Sequence, residues 1–291
     1  MRLSGILKPE YLHRPGNLLR RLRYAKVSPG AQVETRVFGE PFRVWPAEVV
    51  GRQILYFGLY DLTVTEALWR LADRGEQAVD VGANIGYTAA LLLNRVGASG
   101  RVTAFEAHPG VFAELRANVA RRRNADRVTC VHAAVSSRAG HATLHIPRDF
   151  ADNHGIASLE TLGEDDELVT VEAVTLDAAL GEAGAVGVLK IDVEGHELAV
   201  LDGAAGLLAR HGVRDVVFED HQPEQSRVAA RLHEAGYALF HLQKMMGGVT
   251  LVPLGEPVTL SPWEPPNLLA TVDPARARAR FAKGGWFSLK G

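Results

Sequence analysis

The stretch Ala78-Val79-Asp80-Val81-Gly82-Ala83-Asn84-Ile85-Gly86-Tyr87-Thr88 constrains this chain more than any other. An apolar run ends in Asp80, a glycine-containing turn follows, and residues 89–96 have the apolar character of a helix. This is a strand–turn–helix unit whose turn is built to hold a ligand. Gly82 and Gly86 let the backbone turn sharply and let a ligand lie against it, because glycine has no Cβ. The helix opening near Gly86 presents unpaired N–H groups, which suit a carboxylate or phosphate. Two common ligand loops do not match. The dinucleotide pattern G-x-G-x-x-G needs a middle glycine for the pyrophosphate, and Asn84 stands there instead. A P-loop needs a Lys after its last glycine, and none follows Gly86. The plain alternative for the stretch by itself is an ordinary turn in a parallel sheet.

The chain beyond this turn repeats the same unit. Strands are expected at residues 78–81, 101–105, 128–132, 186–191, 213–218 and 237–242, followed by a last apolar run at 249–252, with helices at about 109–122, 197–208 and 224–235 between them. Such alternation predicts an α/β fold: a doubly wound, mostly parallel seven-stranded sheet with helices on both faces. Ligands of such sheets bind at the carboxyl ends of the strands, where Asp80, Glu106 and Asp192 fall. Glu106 can accept two hydrogen bonds from a ribose diol, which points to an adenosyl ligand without naming it. The small residues of His132-Ala133-Ala134-Val135 leave room for an adenine ring. Residues 141–146 and 169–174 read as further strands flanking a polar, irregular segment (148–167) of the kind that serves as a lid or binding loop. His154 within it reads first as an exposed loop histidine and second as a substrate contact.

The flanks carry weaker signals. Residues 1–26 hold Arg2, Lys8, Arg14, Arg20, Arg21, Arg23 and Lys26 against Glu10 alone, with Leu18, Leu19 and Leu22 as a short apolar stripe. A charge run of this kind is read as a solvated extension; an arm gripping an anionic substrate or a partner subunit is the alternative. Ser28-Pro29-Gly30 then punctuates the chain. A hairpin is expected over 33–45, turning at Gly39-Glu40-Pro41, and a helix over 62–72, N-capped by Asp61 and stopped near Gly75. Tyr60 and Asp61 are expected near the ligand pocket. Residues 261–291, with Pro262, Pro265 and Pro266 and then a helix from 274, read as a cap. The organisation predicted is an N-terminal arm, hairpin and lead-in helix (1–75), a ligand-binding catalytic domain (76–255) and a C-terminal extension (256–291).

Composition excludes several classes. Hydrophobic residues at 47% and charged residues at 23% fit a soluble globular protein, and a formal net charge of −2 provides no global attraction to nucleic acid or membrane. The single cysteine, Cys130, permits neither an internal disulfide nor a cysteine zinc site, and a reducing, cytoplasmic setting follows. No apolar run is long enough to span a membrane, and Arg14, Pro15 and Gly16 interrupt any signal-peptide core.

The pattern Asp80-x-Gly82-x-Asn84-x-Gly86 resembles motif I of class I S-adenosylmethionine (SAM) methyltransferases. Leu189-Lys190-Ile191-Asp192-Val193-Glu194-Gly195-His196-Glu197, followed by Val200-Leu201-Asp202-Gly203-Ala204, closely resembles a signature of the FkbM family of those enzymes. The hairpin residues Gly39-Glu40-Pro41-Phe42 are similar too, so the likeness runs from about residue 35 to 245. The resemblance implies O-methylation of a hydroxyl on a sugar, glycan or natural product. It implies that Asp80, Gly82, Asn84 and Gly86 hold the methionine part of SAM, that Glu106 holds the ribose, and that Asp192 faces the methyl group or the substrate. Ala134 joins the cofactor set through its place beside the adenine.

Transfer of a methyl group from a sulfonium to oxygen is an in-line displacement that needs alignment and removal of the hydroxyl proton. Three schemes are open. A base can act, from among Asp192, Glu194, His196 and His221. A divalent ion can lower the hydroxyl pKa, and the oxygen-rich set Asp192, Glu219 and Asp220 suits Mg²⁺ in a way that resembles catechol-type O-methyltransferases. Alignment alone can suffice. The base is placed first, narrowly. Glu194 and Glu197 also have a plain reading as acidic residues complementing a helix N-terminus, and Lys190 reads as packed or ion-paired. The competing functions are a non-catalytic SAM-binding module, a nicotinamide oxidoreductase, and an N- or nucleic-acid methyltransferase. The last is disfavoured because no Asp/Asn-Pro-Pro-aromatic motif occupies the strand-four position. The partner expected is a small hydroxylated acceptor and, in assembly, a second copy of the chain, with neither nucleic acid nor membrane.

Overall fold

The computed structural model describes residues 8–290 except 29, 149, 151–152, 156, 161–162, 164, 182–184, 222 and 260–265. Arg2, Pro29, Pro262 and Pro265 of the sequence reading thus lie outside the described residues.

The chain begins with α1 (Pro9–Leu12) and α2 (Gly16–Tyr24), then a hairpin of β1 (Val33–Val37) and β2 (Glu40–Val44). Helix α3 (Val49–Phe57) is capped by Glu48, whose carboxylate accepts from the Gly51 amide, and ends at Gly58 in the left-handed region. Helix α4 (Leu62–Leu71) is capped by Asp61, which accepts from the Val64 amide. The βα units follow: β3 (Gln77–Val81), α5 (Tyr87–Val96), β4 (Arg101–Glu106), α6 (Pro109–Val119) and β5 (Val128–His132). A small three-stranded sheet, ordered β6-β8-β7, is inserted next, from β6 (Ala134–Val135), β7 (Gly140–Ile146) and β8 (Glu167–Val174). The alternation resumes with α7 (Leu176–Leu180), β9 (Val186–Ile191), α8 (Glu197–Asp202), α9 (Ala205–Ala209), β10 (Val213–Glu219) and α10 (Arg227–Glu234). It closes with β11 (Ala238–Met245), β12 (Gly248–Pro253), β13 (Asn267–Thr271) and α11 (Pro274–Phe281).

The main sheet is mixed, mostly parallel and eight-stranded, ordered β12-β11-β13-β10-β9-β3-β4-β5. From β10 to β5 every pairing is parallel; β13 runs antiparallel between β10 and β11. Period-two alternation divides the core. Ala78, Val102, Ala104 and Val188 join α3, α4, α5 and α6 in one cluster. Val79, Val81, Leu189 and Ile191 join leucines of α7 to α10 in the other. Helices therefore cover both faces, as the alternation predicts.

Three expectations change. The sheet has eight strands, not seven. The segment 256–291 is not only a cap, since β13 lies inside the sheet with all five residues buried. Its run Asn-Leu-Leu-Ala-Thr is short, with neither an alternating pattern nor a β-branched stretch, so only its two neighbours make it a strand. The N-terminal segment is not a solvated extension either: Tyr11 and Asn17 are each 3% exposed. Asn17 Nδ2 donates to Glu10 O and Phe57 O, and Arg20 donates to Ile54 O and Leu55 O. The Ile54, Leu55 and Phe57 carbonyls belong to the last turn of α3, where helix carbonyls run out of intrahelical donors, and the Glu10 carbonyl belongs to α1. These polar bonds and the Tyr11 ring against Phe57 make the contact; Leu19 and Leu22 are exposed and take no part.

Candidate active site

A cavity of about 540 Å³ lies at the carboxyl ends of β3, β4, β9 and β10. Further wall comes from α1 to α5, with Asn153, His154 and Gly155 beside them. The turn after β3 forms one side. Gly82, Asn84 and Gly86 all have positive φ, at 75°, 48° and 92°. A Cβ on Gly82 would sit 1.9 Å from Asp192 O, so the turn meets the end of β9 too closely for any side chain. Asn84 is left-handed without being glycine. Its Oδ1 accepts from the Ile85 amide at 2.6 Å, and its amide donates to Glu106 Oε2 at 2.9 Å. Glu106 Oε1 accepts from the His108 amide at 2.8 Å. One carboxylate thus ties the glycine turn to the end of β4, and burial, opposed by these two amides, pushes its pKa up to about 7. Ala133 and Ala134 line the neighbouring wall as small side chains.

Asp80 is placed differently from the sequence expectation. It does not reach the cavity wall and is fully buried beneath it. The parallel register sets Asp80 opposite Lys190. Lys190 Nζ lies 3.4 Å from Asp80 Oδ1 and 3.2 Å from Asp192 Oδ2, and donates to Gly82 O at 2.8 Å. Burial disfavours the ammonium, but Asp192 and Asp80 together hold its pKa above the usual lysine value. Lys190 is therefore the ion-paired residue that its place in a strand suggests, and Asp80 acts on the turn through it.

The other candidates divide. Asp192, Glu194, His196 and Glu219 line the cavity; His221 and Asp220 do not. His221 is largely exposed, with Nε2 at 2.9 Å from Glu219 Oε1. His196 is held at both nitrogens, by Ser136 Oγ at 3.0 Å and Glu160 Oε1 at 3.1 Å. Among the described residues no three His, Cys, Asp or Glu side chains form a set able to hold a metal, so Asp192, Glu219 and Asp220 do not assemble as expected. Glu219 ends β10 and lines the cavity, whereas Asp220 follows the strand and does not.

Burial, with Asp192 and then Glu197 adding to it, pushes Glu194 up to about 7. Burial, then Asp192, Glu194 and Asp61, pushes Glu219 up to about 8. Asp61 and Glu194 have φ of 37° and 25°, conformations that L-residues adopt only at a cost. Strain and carboxylate crowding thus coincide on one side of the cavity. Tyr60 and Asp61 line it as expected. His154 does so as well, against the exposed-loop reading, its ring stacked on Phe150.

A family model described as the methyltransferase FkbM domain matches residues 80–239. The chain belongs to the FkbM methyltransferase family. This FkbM-family chain is similar to the hexuronic acid methyltransferase AglP of Haloferax volcanii, 32% identical over 60% of this chain and 73% of that protein. It is also similar to the 31-O-demethyl-FK506 methyltransferase FkbM of Streptomyces tacrolimicus, 32% identical over 60% of this chain and 72% of that one. Among solved structures it is similar to Aeropyrum pernix fibrillarin in complex with SAM, 16% identical over 84% of this chain and 85% of that chain, with a TM-score of 0.42. The FkbM-family chain is a SAM-dependent methyltransferase. Its matched segment starts at Asp80 and ends in β11, so α1 to α4 and β13 lie outside it. Those outer elements contribute Glu10, Arg21, Tyr56 and Asn267 to the cavity, of which Tyr56 and Asn267 carried no signal in the sequence. Among the described residues no helix is long and apolar enough to cross a membrane.

Proposed function

We propose that the chain methylates a hydroxyl oxygen of a small polar molecule: a sugar, a glycan or a natural product. The observation that carries this reading is one cavity lined both by the glycine turn with Glu106 and by two carboxyl groups, Glu194 and Glu219, that titrate near neutrality. The names of the two relatives accord with a small oxygen-rich acceptor, one naming a hexuronic acid and the other 31-O-demethyl-FK506.

The residues fit SAM. Glu106 uses each oxygen once, toward backbone amides, and keeps lone pairs for two ribose hydroxyls. Gly82, Asn84 and Gly86 would hold the methionine part, and Ala133 and Ala134 would leave space for the adenine. The raised pKa values of Glu194 and Glu219 report an excess of buried negative charge, which complements a ligand bearing an ammonium and a sulfonium. When bound, SAM supplies an electrophilic methyl group for in-line transfer. The protein's part is to align the acceptor oxygen, exclude water and take the hydroxyl proton. Glu194 or Glu219 takes that proton at a carboxylate oxygen. A group with pKa near the working pH is the effective general base, and His221 beside Glu219 offers a route onward to solvent.

Calorimetric titration with S-adenosylhomocysteine (SAH), followed by an acceptor screen, tests the reading. Micromolar SAH binding and turnover of a hydroxylated acceptor are expected. In the variants Glu194→Gln and Glu219→Gln, the one lacking the base should lose about 10²- to 10⁴-fold in kcat while SAH affinity holds. Full kcat in both variants would remove the carboxylate base.

A further inference from the structure

The helical wall of the cavity carries charge that the methyl-transfer reading does not use. Five cationic side chains line the cavity: Lys8, Arg21, Arg52, Lys190 and Lys244. Two are neutralised, Lys190 by Asp80 and Asp192, and Lys244 by Glu10 at 2.9 Å. Among the described residues, no carboxylate pairs with Lys8, Arg21 or Arg52. Arg21 Nη1 donates to the Tyr11 hydroxyl at 2.8 Å, and its guanidinium lies 5.4 Å from the Tyr56 ring centroid. Arg52 Nη1 donates to Ala47 O. A guanidinium has five N–H donors in a planar fork, so both arginines keep most of theirs. These cations stand on α1, α2 and α3, whereas Asp61, Asp192, Glu194 and Glu219 stand at the strand ends and the start of α4. The cavity is therefore bipolar, cationic on its helical side and anionic where the carboxylates gather.

We infer that the acceptor carries an oxyanion, a carboxylate or phosphate, held by Arg21 and Arg52 with Lys8, and that this contact turns the reactive hydroxyl toward Glu194 and Glu219. The inference rests on the methyltransferase reading above and names its substrate class. An anion at the strand ends would meet four carboxyl groups, so only one orientation of an acidic acceptor is favoured. The guanidinium fork suits a planar carboxylate bidentately, and Tyr56 offers a flat surface to a sugar ring beside it.

The test is titration of SAH-loaded protein with matched pairs: D-glucuronate against its methyl ester, and D-glucose 6-phosphate against D-glucose. In at least one pair the anionic member should bind about tenfold or more tightly than the neutral one. The preference should shrink as salt rises from about 0.05 to 0.5 M. It should fall below about threefold in Arg21→Gln and in Arg52→Gln, with SAH affinity unchanged as the measure of intact folding. The pair that shows the preference distinguishes carboxylate from phosphate. Equal affinity within both pairs, no binding of any member, or a preference that survives both substitutions overturns the inference while leaving the methyltransferase reading standing. Failure to bind SAH at all would count against that reading instead.

Discussion

At the scale of single residues, the cavity's chemistry is set by carboxyl groups kept close together. Glu194 and Glu219 titrate near 7 and 8, above the ordinary carboxyl range, because burial and neighbouring Asp192 disfavour their charged forms. The folded, ligand-free protein therefore holds protons that the unfolded chain has already released, and stability falls as pH rises from the ordinary carboxyl range through about 8. Glu219→Gln should raise the melting temperature by about 2 °C at pH 8.5 and leave it unchanged near pH 4, as scanning calorimetry would show. A cationic ligand reverses the balance. SAM affinity should rise about fivefold or more relative to that of SAH between pH 6 and 9, with proton release on binding. Equal pH profiles for the two ligands would mean that these carboxyl groups do not face the sulfonium. Glu106 has a different task, and Glu106→Ala should weaken SAH binding by at least tenfold while the fold survives.

At the scale of elements, βα alternation, the glycine turn and the acidic strand ends were legible because each is a local pattern. Strand β13 was not. Its buried place depends on Val216 and Leu239 flanking Ala270 from two other strands, a relation between residues far apart in the chain. The C-terminal segment is held by one buried pair on α4. Glu66 Oε1 accepts from Arg70 Nε at 2.7 Å and from the Phe287 amide, and Oε2 accepts from the Ser288 amide and hydroxyl. Arg70 donates to the carbonyls of Arg280, Lys283 and Gly285. The spacing alone describes an ordinary surface pair, worth a few tenths of a kcal/mol. Burial changes its weight: Glu66→Ala leaves Arg70 charged, buried and uncompensated, and should cost about 3–5 kcal/mol in urea unfolding.

At the scale of the whole molecule, the candidate cavity is a joint product of the βα core and of chain on either side of it. Helices α1 and α2 form part of its wall through Lys8, Glu10 and Arg21, and β13 adds Asn267. Asn17 ties α1 to the last turn of α3. Asn17→Ala leaves two carbonyls unpaired and should raise the acceptor KM severalfold while SAH affinity stays within about twofold, since Gly82, Asn84 and Glu106 are on other elements. Steady-state kinetics beside SAH titration would separate the two. A parallel loss of both would show instead that the arm supports the entire site.

The sequence by itself determined the fold class, the glycine turn after β3 with Glu106 at the end of the next strand, and the family, because these depend on patterns confined to a few consecutive residues. Only the tertiary structure decided that Asp80 lies under the cavity and meets Lys190 across the sheet, that His221 stands outside, and that β13 is a buried strand. It alone turned the basic N-terminal run into a wall of the cavity. Each of these outcomes depends on which side chains from distant segments are brought together away from water. Local pattern carries periodicity and turn chemistry; register, burial and the pairing of charges exist only once the chain has closed on itself.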